Sequence, residues 1–343
     1  MRSICQVADR DAFDRIRALI DDAQSICVCA HTNPDGDALG SNLALAALIE
    51  RHWTGKQVTR LLADAEPVPR IYQFLPGSEL LIPACEYADT PDLFISVDLS
   101  IPSRLGDGES VLSRARHSAI IDHHPCDDPR ADAFLVRPSA AAAGILIAEF
   151  ACHIGAEMSP DIAQCLLCAL ITDTGRFQYQ NTNPEAFVVA SYLVDHGANP
   201  SEISLNVYQS FSLTYLHLQS AVMGRVVTFD RGRIAYSYAT TADLERTGAS
   251  LDECDGLVDV VRSVEGSEVA LFLKEVPGGR VRGNLRSKTG YDISGVAREL
   301  GGGGHRAASG FTQEGTVDEV LAKALPLLRT LINGDVASDL GAS

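Results

Sequence analysis

From Ser25 to about Val194 short apolar runs alternate with helical stretches, and this alternation narrows the fold more than any other feature of the sequence. A parallel sheet produces it, because each strand-to-strand crossover needs a helix's worth of chain. Strands are expected at 26–30, 58–62, 93–97 and 118–121, with alternating polar residues in the second. Helices are expected at 41–52, 140–154 and 162–172.

The texture then changes. Residues 195–218 read as a connector, with a Gly-Ala-Asn-Pro turn and a polar helix that carries aromatics. Beyond Met223 come β-rich pieces at 225–229, 234–239, 269–275 and 281–286. A helix at 293–300, a glycine run and a last helix at 317–331 follow. The expected fold class is therefore α/β in two domains, as a chain of 343 residues favours. We expect a parallel-sheet domain with flanking helices at 1–195, a linker helix at 196–222, a smaller α/β domain at 223–335 and a tail at 336–343.

Composition excludes several classes of function. Hydrophobic residues at 46% and charged residues at 21% describe an ordinary globular protein, and no apolar run reaches the roughly 18 residues of a membrane span. The N-terminus mixes acids and bases at helical spacing, so we expect no signal peptide, no membrane partner and a cytoplasmic location. A net charge of −17 is unlike the extended basic surface that grips long nucleic acid. Any nucleic-acid substrate should be short and held locally, with no stable complex with a long strand. Of nine cysteines, Cys27 and Cys29 form a C-x-C and Cys165 and Cys168 a C-x-x-C. Both pairs lie in apolar segments without a second pair to complete a zinc spacing, so we expect small buried hydrophobes.

Four acidic or histidine-containing segments follow apolar runs. They are His31, Asp35 and Asp37 in A-H-T-N-P-D-G-D-A-L-G-S, Asp98 closing L-F-I-S-V, Asp122-His123-His124 closing the fourth strand, and Asp173 after C-L-L-C-A-L-I-T. Taken singly, each has a plain reading as a helix cap, a tight turn or a surface pair. Together they sit where loops leaving one end of a parallel sheet converge. Asp35, Asp37, Asp98 and Asp173 with His31 and His123 are too acidic for structural zinc and too rich in histidine for a calcium cage. The set suits two Mn2+-like ions, with Mg2+, Co2+ and Fe2+ as alternatives, clamping the oxygens of a phosphate under in-line attack.

The C-terminal half holds a local inversion of charge. Between Arg280 and Arg306 lie Arg280, Arg282, Arg286, Lys288, Arg298 and Arg306, against only Asp292 and Glu299. Arginine binds phosphate bidentately, which makes Arg286 a candidate for a terminal phosphate. The run Gly301–Gly304 would let backbone approach a ligand closely, and His305 follows it.

H-T-N-P-D-G-D-A-L-G-S, the aspartate of S-V-D-L-S, I-D-H-H-P and T-D-T-G-R-F resemble the four motifs of the DHH phosphoesterases. R-S-K and G-G-G-G-H-R-A-A-S-G resemble that family's associated C-terminal domain, so the resemblance covers nearly the whole chain. The form T-D-T-G-x-F-x-Y is most similar to the branch that degrades nanoRNA and 3′-phosphoadenosine 5′-phosphate. The resemblance implies that His31 and Asp35 hold one metal, that Asp37, His123 and Asp173 hold the other, and that Asp98 bridges them. It implies that His124 faces the scissile phosphate, that Asp122 orients a ligand histidine and that Asn33 contacts phosphate. It further implies that Arg286, Ser287, Gly302, Gly303, Gly304 and His305 bind substrate, and that the protein is a homodimer. Phe177 and Tyr179 would suit base stacking or buried packing equally.

Short oligoribonucleotides, 3′-phosphoadenosine 5′-phosphate and cyclic dinucleotides such as c-di-AMP are the substrates so implied. A RecJ-like exonuclease shares the metal chemistry, but the acidic balance and modest length count against it. A family II inorganic pyrophosphatase lacks the G-G-G-H signature. A non-catalytic nucleotide sensor would be expected to lose ligands, and none is missing.

Overall fold

The structure, a computed structural model, describes residue 4 and residues 9–254, 256–304 and 306–339. The chain divides into two compact units, Met1–Ser210 and Phe211–Ser343.

The first unit runs α1 (Arg10–Asp22), β1 (Ser25–Cys29), α2 (Gly36–His52), β2 (Gln57–Leu62), β3 (Leu81–Pro83), β4 (Leu93–Val97), α3 (Gly108–Arg114), β5 (His117–Asp122) and β6 (Ala133–Val136). It continues with α4 (Ala143–Ile154), α5 (Pro160–Asp173), α6 (Pro184–Asp195) and α7 (Pro200–Tyr208). The six strands form one parallel sheet in the order β3-β2-β1-β4-β5-β6. Strand order reverses between β1 and β4, so the loops after these two strands diverge and leave a crevice at their carboxyl ends. β4 is buried along its whole length, as a strand covered by helices on both faces must be. Three helices start on a capping side chain followed by proline: Ser159-Pro160, Asn183-Pro184 and Asn199-Pro200.

Two boundaries differ from expectation in ways that matter for the site. α2 begins five residues before position 41, so Asp37 lies inside the helix. α5 ends on Asp173 instead of stopping before it. Glycine brings these helices together. A methyl on Gly36 would sit 2.4 Å from Thr172 Oγ1, and one on Gly40 would sit 2.4 Å from the Cys165 carbonyl oxygen. Replacing Gly40 by alanine is therefore expected to destabilise the protein by about 1–3 kcal/mol through overpacking. Alanine gains about 1 kcal/mol in helix propensity, so a net loss in chemical denaturation isolates the clash. Unchanged or raised stability would mean that α2 and α5 adjust freely. Cys27, Cys29, Cys165 and Cys168 are free and buried, and burial pushes the Cys165 thiol up to about 12. They pack the core.

The second unit contains α8 (Leu213–Gly224), β7 (Val227–Phe229), β8 (Ile234–Ala239), α9 (Thr241–Thr247), α10 (Leu257–Arg262), β9 (Val269–Val276) and β10 (Arg280–Ser287). α11 (Ser294–Glu299), β11 (Gly303–Gly304), β12 (Ala308–Glu314) and α12 (Val317–Asp339) complete it. Its sheet runs β11-β12-β10-β9-β8-β7, with only β8 and β9 parallel. Strand alternation divides the core. Leu271, Leu273, Val281 and Leu285 join residues of α11 and α12, whereas Ala270 and Phe272 join residues of α8 and α10. The stretch 196–222, read as one linker helix, holds α7 and most of α8 on either side of the division. The last helix continues to Asp339, into the expected tail. Among the described residues no helix is long and apolar enough to cross a membrane.

Candidate metal centre

The carboxyl ends of β1, β4 and β5, the start of α2 and the end of α5 carry the acids and histidines of the four segments. His31 follows β1 and is buried, with Nδ1 2.8 Å from the Thr32 carbonyl oxygen. Its Nε2 lies 3.4 Å from Asp98 Oδ2. Asp35 caps α2 by accepting from the N–H groups of Asp37 and Ala38, so its plain reading as a helix cap is correct as far as it goes. Asp37 does more. Its carboxylate accepts from Ser41 Oγ at 2.9 Å and from the backbone N–H groups of Ala143 at 2.6 Å and Gly144 at 3.0 Å. The cap position of α4 is Ala142, which has no side-chain acceptor, so Asp37 caps that helix from another one.

Asp98 follows β4 in the left-handed region, at φ 57°, while its N–H continues the ladder to the Ile121 carbonyl. Its side chain is 2% exposed. Oδ1 lies 3.3 Å from His123 Nε2 and 3.4 Å from His124 Nδ1. His123 Nε2 also faces Asp37 at 3.6 Å and Asp173 at 3.8 Å. Neither Asp98 Oδ1 nor His123 Nε2 makes a well-formed hydrogen bond. Buried polar atoms held this close without bonding cost free energy that a cation among them would recover. Donor atoms of His31, Asp35 and Asp98 lie within 4.8 Å of one another, as do those of Asp37, His123 and Asp173, and those of Asp98, His123 and His124. These oxygen and imidazole donors fit divalent cations such as Mn2+.

Protonation reports the same crowding. Burial and the Asp98 charge push Asp37 well above the usual carboxylate range. Burial, opposed by His123 and assisted by Asp35 and Asp98, raises Asp173 to about 7. Burial would lower His123, but Asp98, Asp37 and Asp173 outweigh it and hold the imidazolium up to about 11. Asp98 runs the other way: burial is overcome by His123 and His31, and its carboxyl stays low.

A further layer positions these groups. His123 Nδ1 faces the Ala140 carbonyl at 3.2 Å. Asp122 is fully buried; it accepts from Ser100 Oγ and from the His124 N–H, and its Oδ1 is 2.8 Å from His124 Nδ1. Asp122 thus orients His124, the neighbour of His123. Asn181 Nδ2 contacts the carbonyls of Ala141 and Asp173 and, at 3.2 Å, Asp173 Oδ2. Sequence reading missed Ser41, Ser100 and Asn181. Only Ser41, four residues after Asp37 on one helix face, had a signal to find. Asn33 adopts φ 52° and donates its N–H to Asp64 Oδ2 at 3.0 Å. Phe177 packs partly buried and stacks on Phe187, with ring centroids 5.2 Å apart.

Residues 25–170 match the family model described as the DHH family, N-terminal domain, and residues 232–334 match the DHHA1 domain. The chain is 31% identical over 305 residues to the bifunctional oligoribonuclease and PAP phosphatase NrnA of Thermus thermophilus, covering 89% of each protein. The chain belongs to the DHH phosphoesterase family. Its identity to the protein of the same description from Bacillus subtilis is 28% over 289 residues, covering 83% of this chain and 88% of that one. An exopolyphosphatase-related protein from Bacteroides fragilis shares the fold, with a TM-score of 0.87 at 23% identity, covering 94% of this chain and 96% of that one.

In the DHHA1 domain, Arg286 and Ser287 end β10, which pairs with β12. Arg286 is half-buried, and among the described residues its guanidinium reaches only the carbonyl of Leu285. Ser287 Oγ is buried and finds no hydrogen-bond partner among the described residues. A methyl on Gly302 would lie 2.1 Å from the Gly310 carbonyl oxygen, so no side chain fits there, whereas one on Gly303 would meet nothing within 4 Å. Gly304 ends β11. His305 lies outside the described residues.

Proposed function

We propose that this chain is a two-metal phosphoesterase acting on short oligoribonucleotides and on 3′-phosphoadenosine 5′-phosphate, with Mn2+ as its foremost cation. The observation that carries this reading is Asp98, which groups with His31 and Asp35 on one side and faces His123 on the other. On this reading His31 and Asp35 would hold one ion, Asp37, His123 and Asp173 would hold the second, and Asp98 would serve both. Divalent cations in such a site supply charge neutralisation at the phosphate and an acidified water as nucleophile. The protein's own groups supply orientation. Thr32 and Ala140 carbonyls face the Nδ1 atoms of His31 and His123, which leaves each Nε2 as the donor to a cation. Asp122, whose carboxyl is held low against burial by His124 and Ser100, fixes the His124 ring. His124 is then placed to donate to a phosphate oxygen or to the leaving group.

The names of the Thermus and Bacillus relatives support the substrate class, and the net charge of −17 favours a short substrate over a long strand. In the DHHA1 domain we assign the terminal phosphate to Arg286, with Ser287, Gly302–Gly304 and His305. Arg286→Ala is expected to raise KM about tenfold to a hundredfold, the worth of a charge-assisted contact, with little change in kcat. An unchanged KM on every short substrate would remove Arg286 from the site. We place the protein in the cytoplasm as a homodimer.

The deciding experiment is a panel in Mn2+ buffer, with a chelated control. It comprises 3′-phosphoadenosine 5′-phosphate, RNA of two to five nucleotides, c-di-AMP, pyrophosphate and a long single strand. Preference for the long strand would favour a RecJ-like activity. No Mn2+-dependent release from any of them would leave the protein a nucleotide sensor.

A further inference from the structure

Arginines in this acidic chain are mostly taken up by other groups. Arg60 pairs with Glu50, Arg225 with Asp243, and Arg137 with Asp9, Glu149 and Glu185, while Arg176 lies over the Tyr208 ring. Among the described arginines, Arg104 alone is both partly buried and without a carboxylate, carbonyl or ring to meet its guanidinium. The others lacking a partner are exposed.

Backbone bonds fix its place. Arg104 closes the short turn Pro102–Arg104 that follows Asp98, with its N–H on the Ile101 carbonyl. Its own carbonyl accepts the Thr32 N–H at 2.9 Å, and the Thr32 carbonyl faces Nδ1 of His31. Gly106 seals the contact: a methyl there would lie 2.6 Å from the Ala63 carbonyl oxygen and 2.7 Å from Thr32 Cγ2. Arg104 is thus two hydrogen bonds from a residue of the acidic cluster. Its charge acts on His31, adding to burial in lowering an imidazole that Asp98 and Asp35 raise.

A partly buried guanidinium that meets no anion gives up solvation without return. Beside a centre built for an anionic substrate, the absent counter-charge is the substrate's own. We propose that Arg104 is a phosphate-binding residue of the N-terminal unit, its fork taking the oxygens of a phosphate on the nucleotide bound at the Asp98 cluster. This assignment rests on the phosphoesterase reading and adds to it a cation that comes from the DHH domain itself.

The test uses the full chain loaded with Mn2+, as wild type, Arg104→Met and Arg104→Lys. Calorimetric titration with AMP and with inorganic phosphate is expected to show affinity about tenfold to a hundredfold weaker in the methionine variant. The lysine variant should fall between, since it keeps the charge and loses the fork. KM should follow the binding constants, and Mn2+ stoichiometry should be unchanged in all three. Wild-type affinity for both anions in the methionine variant overturns the proposal, as does wild-type protein that binds neither. Loss of Mn2+ from both variants would overturn it in favour of a structural role in the His31 loop. If the wild type turns over no short nucleotide, the functional reading fails, while the anion titrations still judge Arg104.

Discussion

Replacing Asp98 by asparagine is expected to lower turnover on the order of a thousandfold or more while leaving a folded protein. A pair of divalent ions contributes several kcal/mol to stabilising charge in the transition state, and each 1.4 kcal/mol is about tenfold in rate. In the proposed two-ion site Asp98 would be the one ligand shared by both ions, so its loss should disturb both. Asparagine is the informative replacement because Asp98 sits at φ 57°, and after glycine it is Asn and Asp that enter this region most readily. The hydrogen bond from its N–H to Ile121 should survive, so circular dichroism and the unfolding transition should stay close to wild type. Turnover within a few-fold of wild type would refute the bridging role. Loss of the fold would show that the carboxylate is needed for more than chemistry.

The second large effect is a reversal in how pH acts on stability with and without metal. In the metal-free protein Asp37, Asp173 and His123 all bind protons more tightly than in the unfolded chain, Asp173 to about 7 and His123 to about 11. Groups raised in this way favour the folded state fully below their unfolded values, about 4 for the acids and 6.5 for histidine, and that contribution is lost as pH rises through the folded ones. Asp98 acts oppositely, and its contribution is lost only as pH falls below the carboxylate range. Between about pH 5 and 8 the metal-free Tm should therefore fall. Mn2+ needs the deprotonated ligands, so its affinity should rise about tenfold per pH unit for each proton it displaces, and the Tm gap between loaded and chelated protein should widen. Scanning calorimetry across this window checks the sign. A chelated protein that gains stability from pH 5 to 8 would contradict the crowding of charges described for the centre.

Much of this was legible in the sequence, and the exceptions have physical causes. β4 and β8 occupy 93–97 and 234–239 as read, because strands with most positions buried appear as short, largely apolar runs. The edge strand β7 lies within the expected 225–229, but other edges were not legible: β3 is three residues ending on Pro83, and β11 is two glycines. The start of α2 was hidden because Gly36 and Gly40 are poor helix formers, tolerated here so that α5 can approach. The clustering of His31, Asp35, Asp37, Asp98, His123 and Asp173 followed from topology, since strand ends of a parallel sheet meet whatever their separation in sequence. The supporting contacts did not follow. A backbone carbonyl such as that of Ala140 has no sequence signature, and Asn181 comes from a turn after Asp173 that folds back on it.

Asp37 fastens the start of α4 as well as facing His123. On the proposed assignment chemistry and architecture are consequently inherited together at that position: a substitution there would unpin a buried helix at the moment it removes a ligand. A relative that had drifted into an inactive but intact protein should therefore show its first losses at Asp98 or His123, and retain the aspartate at position 37 as a vestige of the scaffold.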